Sequence, residues 1–343
     1  MLLKKVISID LGTNGVRCYL KGKGIVVDEP AIVAVNNRTN KMVAVGRSAK
    51  TMLDRTPSHI DALRPINHGV IADFDMAKEM MRVFLRRSVF PWSFFTDIVA
   101  AVPTNLTEVE RKSVVDLFKE NGASRVYLLE QPLAAAFSNR LDIYRPTAYL
   151  IVDIGAGTTD MAIMSMNGIV VSKRLKVAGD YFNHEIIKGV REELQMYIGE
   201  PTAEDIKLAV GSAIPLTGER LDITVRGRDV ASGLPREVVV KDTIVRSWIS
   251  PGLKNIEDAL HDLIEVTPPE LVGDIYKNGI YLCGGGSLLR GIDELFKKNV
   301  GVDVTIMDEP LTCVVRGSGM IAENLSDHKH LVDTAVVLGD PRT

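Results

Sequence analysis

Apolar residues alternate in two stretches of the chain, and each stretch then breaks into glycine behind an aspartate. Val6–Leu20 reads VISIDLGTNGVRCYL, and Leu150–Ile163 reads LIVDIGAGTTDMAI. Aligning Asp10 with Asp153 brings Gly12 onto Gly155, and the tetrapeptide GIVV follows each copy, at Gly24–Val27 and at Gly168–Val171. Period-two alternation around a Gly-rich turn predicts a β-hairpin in each half. The repetition suggests two domains built from one ancestral unit.

Between the repeats the period changes. Glu108–Asn121 carries apolar residues at helical spacing, with Thr107 and Glu110 as a capping box and Gly122 as the stop. A strand is predicted over Asp97–Val102, ending at Pro103, and a short one over Arg125–Leu129. Helices are expected over Met76–Arg87 and, Ala-rich, over Leu133–Leu141. Strands alternating with helices define an α/β layer fold. Residues 31–75 and 180–242 are richer in short strands and turns and read as smaller insertions. The second includes a helix expected from Tyr181 to Tyr197, another starting at Thr202–Lys207, and a meander over Arg220–Val240 that turns at Gly227 and at Gly233–Pro235. The last dozen residues pattern weakly and are expected to be loosely ordered.

At 343 residues the chain suits two domains, and 46% hydrophobic with 25% charged residues is ordinary for a globular protein. The net charge of −3 and the absence of a basic run give no support to nucleic-acid binding. Cys18, Cys283 and Cys313 are far apart and odd in number, so free thiols in a reducing compartment are expected. No stretch is long and apolar enough to span a membrane, and the few residues before Lys4 are too short for a signal peptide or anchor helix. A cytoplasmic protein is expected, any membrane contact being peripheral.

The chemistry sits at the strand ends. Small residues let backbone N–H groups approach an anion, and Thr hydroxyls add donors. An Asp cannot face phosphate unless a hydrated cation stands between them, and Mg²⁺ keeps several of its waters. Two facing hairpins would clamp a nucleoside triphosphate from both sides; either copy alone reads more readily as an ordinary hairpin. Val177–Asp180 opens a helix and suits either a ribose hydroxyl or an N-cap. Glu204 and Lys207 lie one turn apart and serve either ribose contact or a surface ion pair. Tyr281–Gly291 runs from a strand into three glycines and then a helix, whose N-terminus could face adenine or phosphate.

With those residues in view, the two hairpins, Glu130–Gln131–Pro132 and the GGG turn resemble the actin, Hsp70 and sugar-kinase superfamily. YLKGKGIVVDEPAIVAV (19–35), AVGRSAKTML (44–53), RPINHGVIADF (64–74), VRGRDVASGLP (225–235) and TPPEL (267–271) are similar to bacterial MreB and its close relatives. The resemblance covers about Val6 to Glu323. It implies an actin-like fold with two ribonuclease-H-like domains flanking a nucleotide cleft, each with a smaller inserted subdomain. Core domain I would comprise 1–30, 76–146 and 312–343, with 31–75 inserted; core domain II would comprise 147–178 and 243–311, with 179–242 inserted.

Carried over by motif, Asp10 and Asp153 would hold Mg²⁺ through water. Gly12, Thr13, Asn14, Gly155, Ala156, Gly157 and Thr158 would contact the phosphates of ATP. Gly179, Asp180, Glu204, Lys207, Gly284, Gly285, Gly286 and Ser287 would surround ribose and adenine. Gln131, Asp153 and Thr158 would form the hydrolytic set. Self-assembly into protofilaments, typically antiparallel pairs, is implied, on the inner face of the cytoplasmic membrane. There such filaments work with membrane proteins of the cell-elongation machinery in wall synthesis and rod shape.

Two departures matter. Relatives usually have Thr-Ala-Asn-Thr in the first loop, whereas Thr13 is followed here by Asn14, Gly15 and Val16. Relatives also carry Glu-Pro where this chain has Gln131–Pro132; glutamine positions water but cannot take its proton, so slow hydrolysis is expected. The alternative for Gln131 is a cap on the following helix. Arg86–Phe95 (RRSVFPWSFF) suggests an interfacial loop, Val89, Phe90, Pro91 and Trp92 meeting lipid and Phe94–Phe95 the core. A monomeric ATPase or kinase of the same superfamily, or a scaffold that scarcely hydrolyses ATP, stands as the alternative.

Overall fold

The computed structural model describes residues 5–88, 96–218 and 221–335. Alternate burial closes the first repeat into a hairpin: Lys5–Leu11 pairs antiparallel with Gly15–Leu20, which pairs in turn with Gly24–Pro30. On the other side of Lys5–Leu11 come Thr96–Val102 and Arg125–Glu130, both in parallel register, and then Asp333–Ala335. Every position of Thr96–Val102 is buried, as befits a parallel strand covered on both faces.

The second repeat builds the same arrangement. Tyr149–Ile154, Thr159–Ser165 and Gly168–Leu175 form an antiparallel meander, and Ile280–Cys283 and Val304–Ile306 extend it in parallel register. Each sheet is therefore a three-strand meander followed by two parallel strands, and the first adds Asp333–Ala335 in antiparallel register. Smaller sheets sit apart: Val33–Asn36 with Lys41–Val45 and Ile60–Leu63, and Met196–Tyr197 with Asp222–Asp229 and Pro235–Lys241.

Two helices fill the space between the large sheets. Gln131–Ser138 and Cys313–Glu323 share one apolar cluster with residues of both, among them Val99 and Leu129 from the first and Ile151 and Ala162 from the second. They cross so closely that a side chain at Gly317 would strike the Ala134 carbonyl. Beside this crossing the buried hydroxyls of Ser8 and Ser318 meet at 2.5 Å, tying the first strand to the central helix.

The capping box at Thr107 and Glu110 is present in both directions, and the helix it opens runs Glu108–Glu120. Several expected boundaries move. The helix expected over Tyr181–Tyr197 runs Gly179–Glu193, because Met196–Tyr197 pairs as a strand instead. The helix expected at Leu133–Leu141 starts at Gln131, with Pro132 in its first turn where the missing N–H costs nothing, and ends at Ser138. Gly227 is no turn. It lies inside Asp222–Asp229, where a side chain would strike the Tyr197 carbonyl of the neighbouring strand. The GGG run leads into a short 3₁₀ turn, Gly285–Leu288, and the following helix begins only at Ile292. Of the last dozen residues, Asp333–Ala335 pair with the first sheet. The apolar loop proposed over Val89, Phe90, Pro91 and Trp92, with Phe94–Phe95, lies outside the described residues. Among the described residues, no helix is long and apolar enough to cross a membrane.

Candidate nucleotide and metal site

Both hairpin turns close by the same backbone bond. Gly12 N–H donates to the Gly15 carbonyl at 3.0 Å, and Gly155 N–H donates to the Thr158 carbonyl at 2.9 Å. The internal repeat is thus reproduced at the level of single atoms. The turns face one another across a cavity of about 630 Å³, within the usual range for small-molecule sites. Asp10 and Asp153 line it together, with Gly12, Thr13 and Asn14 from one turn and Gly155, Ala156, Gly157 and Thr158 from the other.

The turns also touch. Gly157 lies so near Thr13 that a Cβ there would sit 2.5 Å from the Thr13 hydroxyl oxygen. That hydroxyl accepts from Gly69 N–H at 3.0 Å, and His68 Nδ1 is 2.9 Å from the Gly157 carbonyl. The second turn is held by the Gly179–Glu193 helix, whose Gly179 and Asp180 N–H groups donate to the Gly155 and Ala156 carbonyls at 3.1 and 2.8 Å. Ala178, at the N-cap, has no side-chain acceptor and makes no capping bond, so the N-cap reading of Val177–Asp180 gives way to a brace for the second turn.

Glu204 and Lys207, on the Glu200–Val210 helix, both line the cavity. Lys207 bonds Glu204 at 2.8 Å and the Gly179 carbonyl at 3.0 Å, and Asn183 donates to Glu204 at 2.7 Å. Burial opposes ionisation of Glu204, but Lys207 and Asn183 hold its carboxyl below the ordinary value. The expected i,i+3 ion pair is therefore present, and it borders the cavity. Gly284, Gly285 and Gly286 line the cavity; Gly284 has φ +78°, and a side chain there would strike Asp153. Ser287 does not line it: its side chain is buried, and its hydroxyl donates to the Gly284 carbonyl at 2.7 Å, bracing the turn from behind. Leu208, Leu288, Leu289 and Leu311 give this side of the cavity an aliphatic wall suited to a planar ring.

Gln131 makes no capping bond. Its Nε2 donates across to Asp10 Oδ1 at 3.3 Å, in the cavity. The two strand-end acids fit a divalent cation. Burial raises the pKa of Asp153 to about 7, helped by the nearby charges of Asp160 and Asp10. Burial also raises that of Asp10, against the opposing pull of Arg17 and Gln131. Hard oxygen donors crowded in this way lower their mutual repulsion by sharing a cation. Among the described residues no three metal-ligating side chains converge, so such a cation would take its other ligands from phosphate and water.

Sequence reasoning missed Arg17, Asp28, Asp160, Arg47 and Lys50, which also line the cavity. The first three were within reach of it. Once the turn residues are known, hairpin register places Asp10 opposite Arg17 and Asp153 opposite Asp160. Arg47 and Lys50 come from a one-turn helix in the 31–75 segment, whose position over the cavity no local pattern predicts. The three cysteines are free and buried, and burial lifts the Cys18 thiol to about 12.

Paired three-strand meanders, two central helices and a shared cavity between matched turns define an actin-like protein. The comparisons narrow this further. The family model described as MreB/Mbl protein matches residues 4–330. Cell shape-determining protein Mbl of Bacillus subtilis (strain 168) is 40% identical over 320 residues, covering 93% of this chain and 96% of its own. Cell shape-determining protein MreB of Escherichia coli (strain K12) is 40% identical over 329 residues, 94% of each. The crystal structure of MreB5 of Spiroplasma citri bound to ADP superposes with a TM-score of 0.91 at 36% identity, covering 96% of this chain and 99% of that one. The chain belongs to the MreB/Mbl family.

Proposed function

We propose that this chain binds ATP with Mg²⁺ between its two hairpins and polymerises into filaments on the inner face of the cell membrane. There it guides wall synthesis and rod shape together with membrane proteins of the elongation machinery. One observation carries the nucleotide reading: two turns with the same backbone closure present Asp10 and Asp153 into one cavity of about 630 Å³. MreB5 of Spiroplasma citri, solved with ADP and with AMPPNP, supports it. Division into two cores, each with an inserted subdomain as set out from the sequence, belongs to the same reading.

Asp10 and Asp153 would hold the hydrated cation, and the N–H groups of the two turns would take the phosphates. The cation, when bound, offsets the phosphate charge. Gly179, Asp180, Glu204 and Lys207 would meet the ribose, with the Gly284–Gly286 turn and the aliphatic wall against the base. Gln131, with Thr158, would orient the attacking water. Its amide has no site for the water's proton, which favours slow hydrolysis. For the same reason a filament scaffold with scant turnover is the second reading.

Sedimentation tests the proposal. The chain is expected to pellet with ATP and Mg²⁺ and to stay in the supernatant without nucleotide. A soluble monomer under both conditions would overturn the filament reading, and phosphate release from the pellet separates an ATPase from a scaffold. Membrane contact through Val89–Trp92 is tested by vesicle pelleting, which Trp92→Ser is expected to weaken; many subunits on one filament make such weak anchors additive.

A further inference from the structure

The two meanders carry charge ladders at matching positions, and the ladders agree in sign at the first rung and differ at the second and third. In the first sheet Asp10 faces Arg17 across the hairpin, and Arg17 faces Asp28 on the next strand. In the second, Asp153 faces Asp160, and Asp160 faces Arg174. Directly paired residues share a face of the sheet, so each ladder runs back from the strand-end acid that borders the cavity. The middle rung is a cation in one half and an acid in the other.

Contacts confirm the rungs. Arg17 lies 3.7 Å from Asp10 and 3.1 Å from Asp28. Asp160, 2% exposed, accepts from Arg174 Nε at 3.2 Å and from the Thr104 hydroxyl at 3.1 Å. Arg17 and Asp160 both line the cavity, whereas Arg174 stands behind Asp160. Like charges directly opposite in a sheet are destabilising, so the Asp153–Asp160 pair carries a cost that an uncharged residue at 160 would remove. Arg17 does the reverse, supplying Asp10 with a positive neighbour before any metal arrives.

We propose that Arg17 and Asp160 are positioning residues that set, in opposite directions, how strongly nucleotide binding depends on a divalent cation. Asp160 deepens the negative potential at Asp153 and makes a cation necessary. Arg17 supplies part of the same charge from within the protein and makes it less so. This rests on the nucleotide reading of the cavity.

The measurement is the affinity for a fluorescent, methylanthraniloyl-labelled ATP in EDTA and in saturating Mg²⁺, expressed as a ratio. A purely structural defect weakens both affinities and leaves the ratio where it was. Arg17→Met is expected to enlarge the Mg²⁺ dependence and Asp160→Asn to shrink it, each by roughly tenfold for one unit charge a strand away. Arg17→Lys is expected to keep the wild-type ratio. If wild-type binding is Mg²⁺-dependent but Arg17→Met leaves the ratio unchanged or moves it downward, the inference is overturned and the nucleotide reading stands. That arm suffices even if Asp160→Asn does not fold. A folded Asp160→Asn that moves the ratio upward also overturns it. Wild-type protein that binds no nucleotide under either condition overturns both.

Discussion

At the scale of single residues, Asp153 makes the protein sensitive to pH. Burial and the charges of Asp160 and Asp10 raise its pKa from an ordinary 3.8 to about 7. Between those values the folded chain holds a proton that the unfolded chain has released, so stability falls as pH rises through this window. Metal-free protein is therefore expected to melt at a higher temperature at about pH 5.5 than at about pH 7.5. Asp153→Asn should flatten that slope. It should not abolish it, because burial raises Asp10, Glu130 and Asp180 in the same direction. Gln131 gives a second expectation. Glu at this position would add a proton acceptor beside Asp10, and Gln131→Glu should speed phosphate release about a hundredfold, at the low end of general-base effects. Unchanged release per filament would remove Gln131 from the hydrolytic set. Both residues were legible because each closes a local motif. Arg17 and Asp160 went unread because their importance comes from the neighbouring strand.

At the scale of elements, local chemistry predicted interiors better than ends. The Thr107 and Glu110 box fixed one helix start because its bonds lie within one turn of sequence. The end of the Gly179–Glu193 helix was hidden because Met196–Tyr197 is claimed by a strand more than thirty residues ahead, Arg228 and Asp229 being its partners. Gly227 was misread as a turn for the same reason, since the backbone approaching it is distant in sequence. Gly317 went unremarked, although it sets the spacing of the central helices against Ala134. Gly317→Ala is expected to destabilise the fold by about 1–3 kcal/mol through overpacking, lowering the melting temperature by several degrees. An unaltered melting curve would mean that the two helices separate freely.

Across the whole molecule, the repeat in the sequence foretold two similar halves, but nothing in it foretold how their insertions meet. Arg64, in the 31–75 segment, grips Glu200 at the start of the Glu200–Val210 helix through two bonds of 3.1 and 2.5 Å. Asp54 accepts from the Glu200 N–H at 3.2 Å. These residues are 136 and 146 positions apart, and they fasten one insertion to the helix that carries Glu204 and Lys207 into the cavity. Arg64→Ala is expected to accelerate release of a fluorescent nucleotide severalfold, read by stopped-flow chase, and Glu200→Gln to do nearly the same. The double variant should add little, because either change breaks the same link.

The contact between Thr13 and Gly157 has a kinetic corollary. The cavity is open beside these tips, but a phosphate tail that reaches between Thr13 and Gly157 would have to part them. Capture is then expected to be a two-stage event whose observed rate levels off at high nucleotide concentration, which stopped-flow mixing would read; a rate that rises linearly throughout would mean that the tips offer no barrier.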